Sequence, residues 1–378
     1  MDAAALKAKR KRRDLSLQLL LIASVVLVLW VAVTTAQTKL TELNMASGFG
    51  FLERATGWAY SFSLIDRSID DGYARTLLIG FMNTLFLGLI CIVLSTILGF
   101  AIGTARDARQ LGFNTLATVY IQLFRNLPLI LQLVFWYAVL IHMPGPRQAF
   151  SLGDTVFLSN RGLMLPALNV APGVVLGIFA AIVGLGIIIF RLKSLQFLSK
   201  LGLWLAASAG LTLVVATMFA PADASVFSIP AQKGLRFQGG LTVSIELVAM
   251  IVAITLYGSA YIAEVVRGGL HEVPSGLTEA GKALGLSARS IWFHIKMPMA
   301  LRTIMPPLGN QWIFIMKATT LGVAIGFSDL FYIVSTSITQ SGQTLELMGL
   351  LMLSFLLINY SLAQIVNFMN ARLALKGH

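Results

Sequence analysis

What most constrains this chain is the recurrence of uninterrupted apolar runs long enough to cross a bilayer. Residues 15–35, 76–105, 113–141, 173–191, 201–220, 240–264, 300–325 and 343–368 form such runs, with few charges inside them. A helix rising 1.5 Å per residue needs about 20 apolar residues to span the hydrocarbon. A mean hydropathy of +0.82 and a charged fraction of only 12% agree with this. The runs are continuous rather than alternating at every second residue, which favours helices over a barrel as the way to satisfy backbone groups in lipid. The predicted fold is therefore an all-α membrane protein with about eight transmembrane helices. No small-x-small cleavage site follows the first run, so it reads as a retained span rather than a signal peptide.

The net charge of +12 invites a nucleic-acid reading, which its distribution removes. Lys7, Lys9, Arg10, Lys11, Arg12 and Arg13 precede the first span. If they are cytoplasmic, then Arg106 and Arg109, Arg191, Lys193 and Lys200, Arg267, Lys282, Arg289, Lys296 and Arg302, and Arg372 and Lys376 all fall on the same side. That places 18 of the 28 basic residues there, against eight in the opposite loops. This is the positive-inside pattern, and it predicts a multi-pass membrane protein with both termini in the cytoplasm. The N-terminal cluster could also hold anionic lipid, although topology explains it already. Cys91 is single and sits inside a span, so no disulfide framework exists. His142, His271, His294 and His378 have no metal-ligand spacing, and no G-x4-G-K-[ST] phosphate loop occurs. No catalytic residue, bound cofactor or metal is predicted. If ATP drives this protein, a different polypeptide hydrolyses it.

Between the sixth and seventh runs lies the stretch Glu264 to Pro307, the most polar after the N-terminus. Ser275 is placed to cap a helix in which Leu277, Ala280 and Leu284 share one face, with Glu279 and Lys282 on the other. Gly285 suits the left-handed position that ends it. Ser287 then caps a second helix, which Pro298 is expected to stop. The result is a helix-turn-helix at the membrane surface, either a connector packed on its own protein or a docking surface.

The spacing favours docking. Glu279-Ala280-Gly281, then Gly285, then Ile295-Lys296-Met297-Pro298 resembles the EAA loop of ABC importer permeases, with Gly281 and Met297 as small departures. Gly80-Phe81-Met82-Asn83-Thr84-Leu85, Arg125-Asn126-Leu127-Pro128 with Gln132, Tyr261-Ile262-Ala263-Glu264 with Arg267-Gly268-Gly269, Lys317-Ala318-Thr319-Thr320-Leu321 and Ala324-Ile325-Gly326-Phe327-Ser328-Asp329-Leu330 resemble signatures of the polar amino acid permeases. The Gly48-Phe49-Gly50-Phe51-Leu52 and Pro144-Gly145-Pro146-Arg147 segments resemble the general L-amino acid (Aap/Bzt-type) branch. Leu277, Met299 and Ala318 stand where that family more often has polar residues. The resemblance implies a type I ABC importer permease core at 76–368, with a coupling loop at 268–298 and an extra helix pair near 173–220. A basic tail (1–14), a first helix with exported loop (15–75) and a short cytoplasmic tail (369–378) complete the chain. It further implies a homologous second permease, a dimer of ATP-binding subunits using the ATP, and a periplasmic amino acid-binding protein as partners, alongside the lipid bilayer. Glu279, Ala280, Gly281, Gly285, Ile295 and Pro298 would serve ATPase coupling.

Charges at membrane depth are costly unless paired or facing a wet cavity, which makes Arg125, Glu246 and Lys317 candidates for a substrate path. Asn126 and Pro128 join Arg125 where the third run is interrupted, and Thr319 and Thr320 accompany Lys317. Each has a plainer reading: a kinked helix whose arginine meets a carboxylate, a buried pair or subunit contact for Lys317, and Arg236 as a neighbour for Glu246. Asn310 and Gln311 come just after an expected helix break at Pro306-Pro307. Tyr257 and Tyr261 share a helical face. The aromatic residues Phe49, Phe51, Trp58, Tyr60 and Phe62 are expected to lie along the membrane surface. A rival from another class is an ion- or proton-coupled secondary transporter, which would need no role for residues 275–298; a non-transporting assembly subunit is a third.

Overall fold

The computed structural model describes residues 3–42, 48–108, 110–192, 197–221, 225–234 and 236–373. Arg109, Lys193 and Lys376 of the charge census lie outside these residues, as do the side chains of Lys7 to Arg12 and positions 374–378. Twelve helices run in chain order: α1 (Ala3–Glu42), α2 (Tyr73–Asp107), α3 (Leu111–Asn126), α4 (Leu129–Ile141), α5 (Pro172–Arg191), α6 (Phe197–Phe219), α7 (Ile245–His271), α8 (Ser275–Ala283), α9 (Ala288–Ile291), α10 (Met297–Ala318), α11 (Leu330–Ser341) and α12 (Thr344–Leu373). Six are long and apolar enough to span a bilayer. The number rises to eight when α3–α4, bent by 102°, and the stretch through α10 and α11, bent by 48°, each count as one.

Between spans, lipid tails are as apolar as leucine, so helices associate through close packing rather than through burial alone. The most extensive seam joins α2 and α7. A Cβ at Gly99 would lie 2.6 Å from Ile262 Cγ2, and one at Gly103 would lie 2.6 Å from the Ala263 carbonyl. Leu87, Met250, Ile254, Ile262, Ile304 and Leu308 fill the core that α2 and α7 share with α10. Cys91 is buried in this core as a small apolar group. Pro306 and Pro307 do not break α10, which runs unbroken past them. Neighbouring helices can support the backbone groups that such prolines free.

A second core forms at the end of the bundle opposite the basic loops. Here the loop before α2, expected to lie along the membrane surface, buries part of its aromatic cluster. Phe51 and Tyr60 are 1% and 5% exposed and pack with Tyr73, Ile79, Ile333 and Leu347. Phe62 stacks on Phe86 and Phe327, with ring centroids 6.1 and 5.6 Å away. Only part of this segment, including Phe49, faces outward. Phe51, Tyr60 and Phe62 thus pack into the end of the bundle, while Phe49 stays outside it.

The segment between α4 and α7 is held together by short strands. β1 (Phe150–Leu152), β2 (Val156–Ser159), β3 (Gly162–Leu165) and β8 (Leu241–Val243) form an antiparallel sheet in the order β1-β2-β3-β8. β4 (Ala167–Leu168) pairs with β5 (Phe227–Ser228) and so closes the neck of the α5–α6 hairpin. β6 (Ala231–Lys233) and β7 (Arg236–Gln238) make a separate hairpin. α5 and α6 pack on one another, with Trp204 Nε1 donating to the Ile182 carbonyl at 3.1 Å.

Candidate functional site

At the basic end of the bundle, α8 and α9 form the anticipated helix-turn-helix, with different caps. Pro274 rather than Ser275 occupies the N-cap of α8; Ser275 is its first residue, and its side chain caps nothing. Proline suits this entry because the first helical N–H groups lack partners in any case. Gly285 has φ +76°, its N–H bonds the Lys282 carbonyl at 2.9 Å, and Leu286 N–H bonds that of Gly281 at 3.0 Å. These two bonds are the Schellman closure of a helix. Ser287 caps α9 as expected, accepting from Ser290 N at 3.2 Å. Pro298 does not end the helical run. A π turn over Trp292–Lys296 leads directly into α10, whose second residue is Pro298.

The loop packs inward through Gly281, whose Cβ position lies 3.0 Å from Ile295 Cδ1 and 3.1 Å from Ile291 Cγ1. A side chain there would press on those two isoleucines. The apolar face of α8 turns outward. Leu277, Leu284, Leu286 and Phe293 are 41%, 81%, 40% and 54% exposed. Glu279, Ala280 and Lys282 surround them at the surface. An apolar patch with a polar rim, on a segment too charged for lipid, has the character of a protein-docking surface.

The second feature is a polar wall along α7 and α10. Pro128, at the N-cap of α4, has no N–H to continue the hydrogen-bond ladder, so the third span turns at Leu127–Pro128. Gln132 Nε2 donates to the carbonyls of Phe124 and Leu127, both at 2.9 Å, and so stabilises the elbow. The elbow presents Arg125, whose guanidinium lies 4.9 Å from the centre of the Tyr261 ring. Such stacking holds an arginine in place while leaving its donors free. Tyr261 and Tyr257 do share a face; their hydroxyls are 3.2 Å apart, and Phe314 of α10 stacks on Tyr257 at 5.8 Å.

Two adjacent cavities of about 320 and 380 Å³ share Arg125, Tyr261 and Glu264 as lining. Asn126 lines the larger, and Gln311 and Thr303 the smaller. Glu264 pairs with Arg106 and with Arg267, the latter at 2.6 Å. The charged lining of the two cavities is thus Arg106 and Arg125 with Glu264 and Glu272, and Arg267 holds Glu264 from outside it. Lys317 is exposed in the last turn of α10 and has no carboxylate partner among the described residues. Thr320 donates to the Lys317 carbonyl at 2.8 Å; Thr319 is buried, with its hydroxyl on the Met316 carbonyl at 2.9 Å. Glu246 is half-buried in the first turn of α7 and forms no ion pair with Arg236 or any other described residue. The structure thus gathers Arg125 and Asn126 at one cavity, with Lys317 and Glu246 apart from them.

Asn83, Thr84 and Ser328 stand inside the sequence motifs, but sequence reasoning gave them no work. Asn83 Nδ2 donates to the carbonyls of Ser328 (2.8 Å) and Phe62 (3.1 Å), and its Oδ1 accepts from Leu64 N (3.1 Å). Thr84 accepts from Leu330 N at 2.9 Å, and Ser328 accepts from Phe62 N at 3.0 Å. Two separate motifs thus meet as one knot tying the loop before α2 to the α10–α11 turn. The polar character of Asn83 and Thr84 inside an apolar run was the available signal.

A family model described as the inner membrane component of binding-protein-dependent transport systems matches residues 173–375. The putative amino-acid ABC transporter permease protein YhdX of Escherichia coli (strain K12) is 37% identical, covering 95% of this chain and 93% of its own length. The general L-amino acid transport system permease protein AapQ of Rhizobium johnstonii is 36% identical over 97% of this chain and 93% of its own. The glutamate/glutamine/aspartate/asparagine transport system permease protein BztB of Rhodobacter capsulatus is 29% identical over 95% and 92% respectively.

Proposed function

The chain belongs to the inner membrane components of binding-protein-dependent transport systems, and from that membership we propose that it is the polar L-amino acid permease of an ABC importer, forming half of a translocation path. Relatives named for general L-amino acid transport and for glutamate, glutamine, aspartate and asparagine transport support this substrate class. A second, homologous permease would supply the facing wall. A dimer of ATP-binding subunits would dock on residues 275–298 from the cytoplasm, where both chain termini also lie. A binding protein would deliver substrate to the opposite face. An ion- or proton-coupled carrier has no support in the family or in the site.

The observation that carries the coupling role is the exposed apolar patch of Leu277, Leu284, Leu286 and Phe293 on a charged loop. ATP-driven closure of the docked subunits would move this loop and, through α10, the wall beside it. In that wall, Arg125 suits a substrate carboxylate, since a stacked guanidinium offers a bidentate fork. Asn126 and Pro128 shape the elbow, Lys317 and Thr320 extend the path, and Glu246 offers a counter-charge for an ammonium group. The buried Thr319 would act through its neighbours rather than by contact.

The test is reconstitution of the chain with candidate ATPase, second permease and binding protein, measuring ATP hydrolysis as each L-amino acid is added. Polar amino acids should stimulate hydrolysis. Absence of stimulation by any of them, with all partners assembled, would refute the reading.

A further inference from the structure

The last turn of α2 carries two adjacent residues of opposite charge, Arg106 and Asp107, which bind in different directions. Arg106 pairs with Glu264 of α7. Asp107 accepts a hydrogen bond from Lys296 Nζ, and its second oxygen lies 3.7 Å from Nε2 of His271, the final residue of α7. Lys296 ends the π turn after α9, so it belongs to the 275–298 loop. Its ammonium also lies 5.2 Å from the centre of the Trp292 ring. The Asp107 side chain is 10% exposed and that of Lys296 24%. Among the described residues, no other charged side chain between Glu272 and Lys296 is ion-paired with a spanning helix.

A carboxylate at a helix C-terminus opposes the helix dipole, so partner charges rather than helix preference hold Asp107 in place. α2 is in turn locked to α7 by the contacts of Gly99 and Gly103, and to α10 where Gly88 meets Met316. Displacing Lys296 therefore pulls on a closely packed helix pair, not on one flexible side chain.

We propose that Asp107 is a positioning residue for energy coupling: it joins the loop to the α2–α7 unit and carries loop movement into the bundle. This rests on residues 275–298 being the ATPase-docking surface. In proteoliposomes holding the whole complex, with a labelled mixture of the twenty L-amino acids as probe, Asp107→Ala and the isosteric Asp107→Asn should lower import per ATP hydrolysed at least tenfold. ATPase subunits should still co-purify with both variants. Exchanging the charges, Asp107→Lys with Lys296→Asp, should restore at least half of the ratio. A merely structural role would lower yield without separating import from hydrolysis. An unchanged ratio in Asp107→Asn, loss of ATPase co-purification in both variants, or no rescue by the exchange overturns the proposal. Failure of the ATPase to co-purify with the unaltered chain would instead defeat the docking reading on which it rests.

Discussion

Gly285 concentrates two demands in one residue. Its φ of +76° is a conformation that a side chain makes costly, by about 1 kcal/mol, and it sits inside the exposed patch. Gly285→Ala should therefore weaken ATPase co-purification modestly. Gly285→Asp, which adds a charge to an apolar surface, should weaken it tenfold or more while the chain still inserts. At the wall, Arg125→Ala should lower uptake at least tenfold with assembly intact, and Arg125→Lys should not restore it, because an ammonium lacks the planar fork. Equal uptake by Arg125→Ala would remove this residue from the path. Asn83 makes a different kind of contribution. Asn83→Ala leaves the carbonyls of Phe62 and Ser328 without donors in a buried site, a loss of about 1–3 kcal/mol for each such group. Lower thermal stability of the purified chain, with transport retained in what survives, is the expected result.

The elements divide by how locally their causes act. The spans were legible because about 20 apolar residues in a row allow little else in lipid. The turn at Gly285 and the cap at Ser287 were legible because each depends on the chemistry of one residue and its near neighbours. Elements decided at a distance were not. The apolar side of α8 faces outward because Gly281 is the position that fits against Ile291 and Ile295, and periodicity alone cannot see that fit. The helix expected to stop at Pro298 continues because a π turn delivers the proline to the start of α10. β3 and β8 are brought together from either side of the α5–α6 hairpin, so neither strand announces itself alone. Of the candidate site, the loop and Arg125 were readable, but the hold of Tyr261 on Arg125 and of Gln132 on the elbow was not. Gln132→Leu should therefore destabilise the elbow by about 1–3 kcal/mol, since two carbonyls lose their donor. Differential scanning of the purified protein would register this, and an unchanged transition would argue that water replaces the amide.

At the scale of the whole molecule, one closely packed unit of α2, α7 and α10 lies between two faces with separate duties. One face carries the knot at Asn83 and Ser328, and the other the loop at 275–298. With Cys91 buried, cysteines introduced at exposed positions will be the accessible thiols. A cysteine at Lys282 should react with an impermeant reagent only from the cytoplasmic side, and one at Arg161 only from the other. Reaction of both from the same side would break the assigned topology. The decisive experiment measures uptake of labelled L-amino acids into proteoliposomes holding this chain, its second permease, the ATPase and the binding protein. ATP is supplied on the ATPase side and a protonophore is present throughout. An ATP-coupled permease predicts uptake that needs ATP and ignores the protonophore. Uptake that proceeds without ATP and collapses with the protonophore would contradict it.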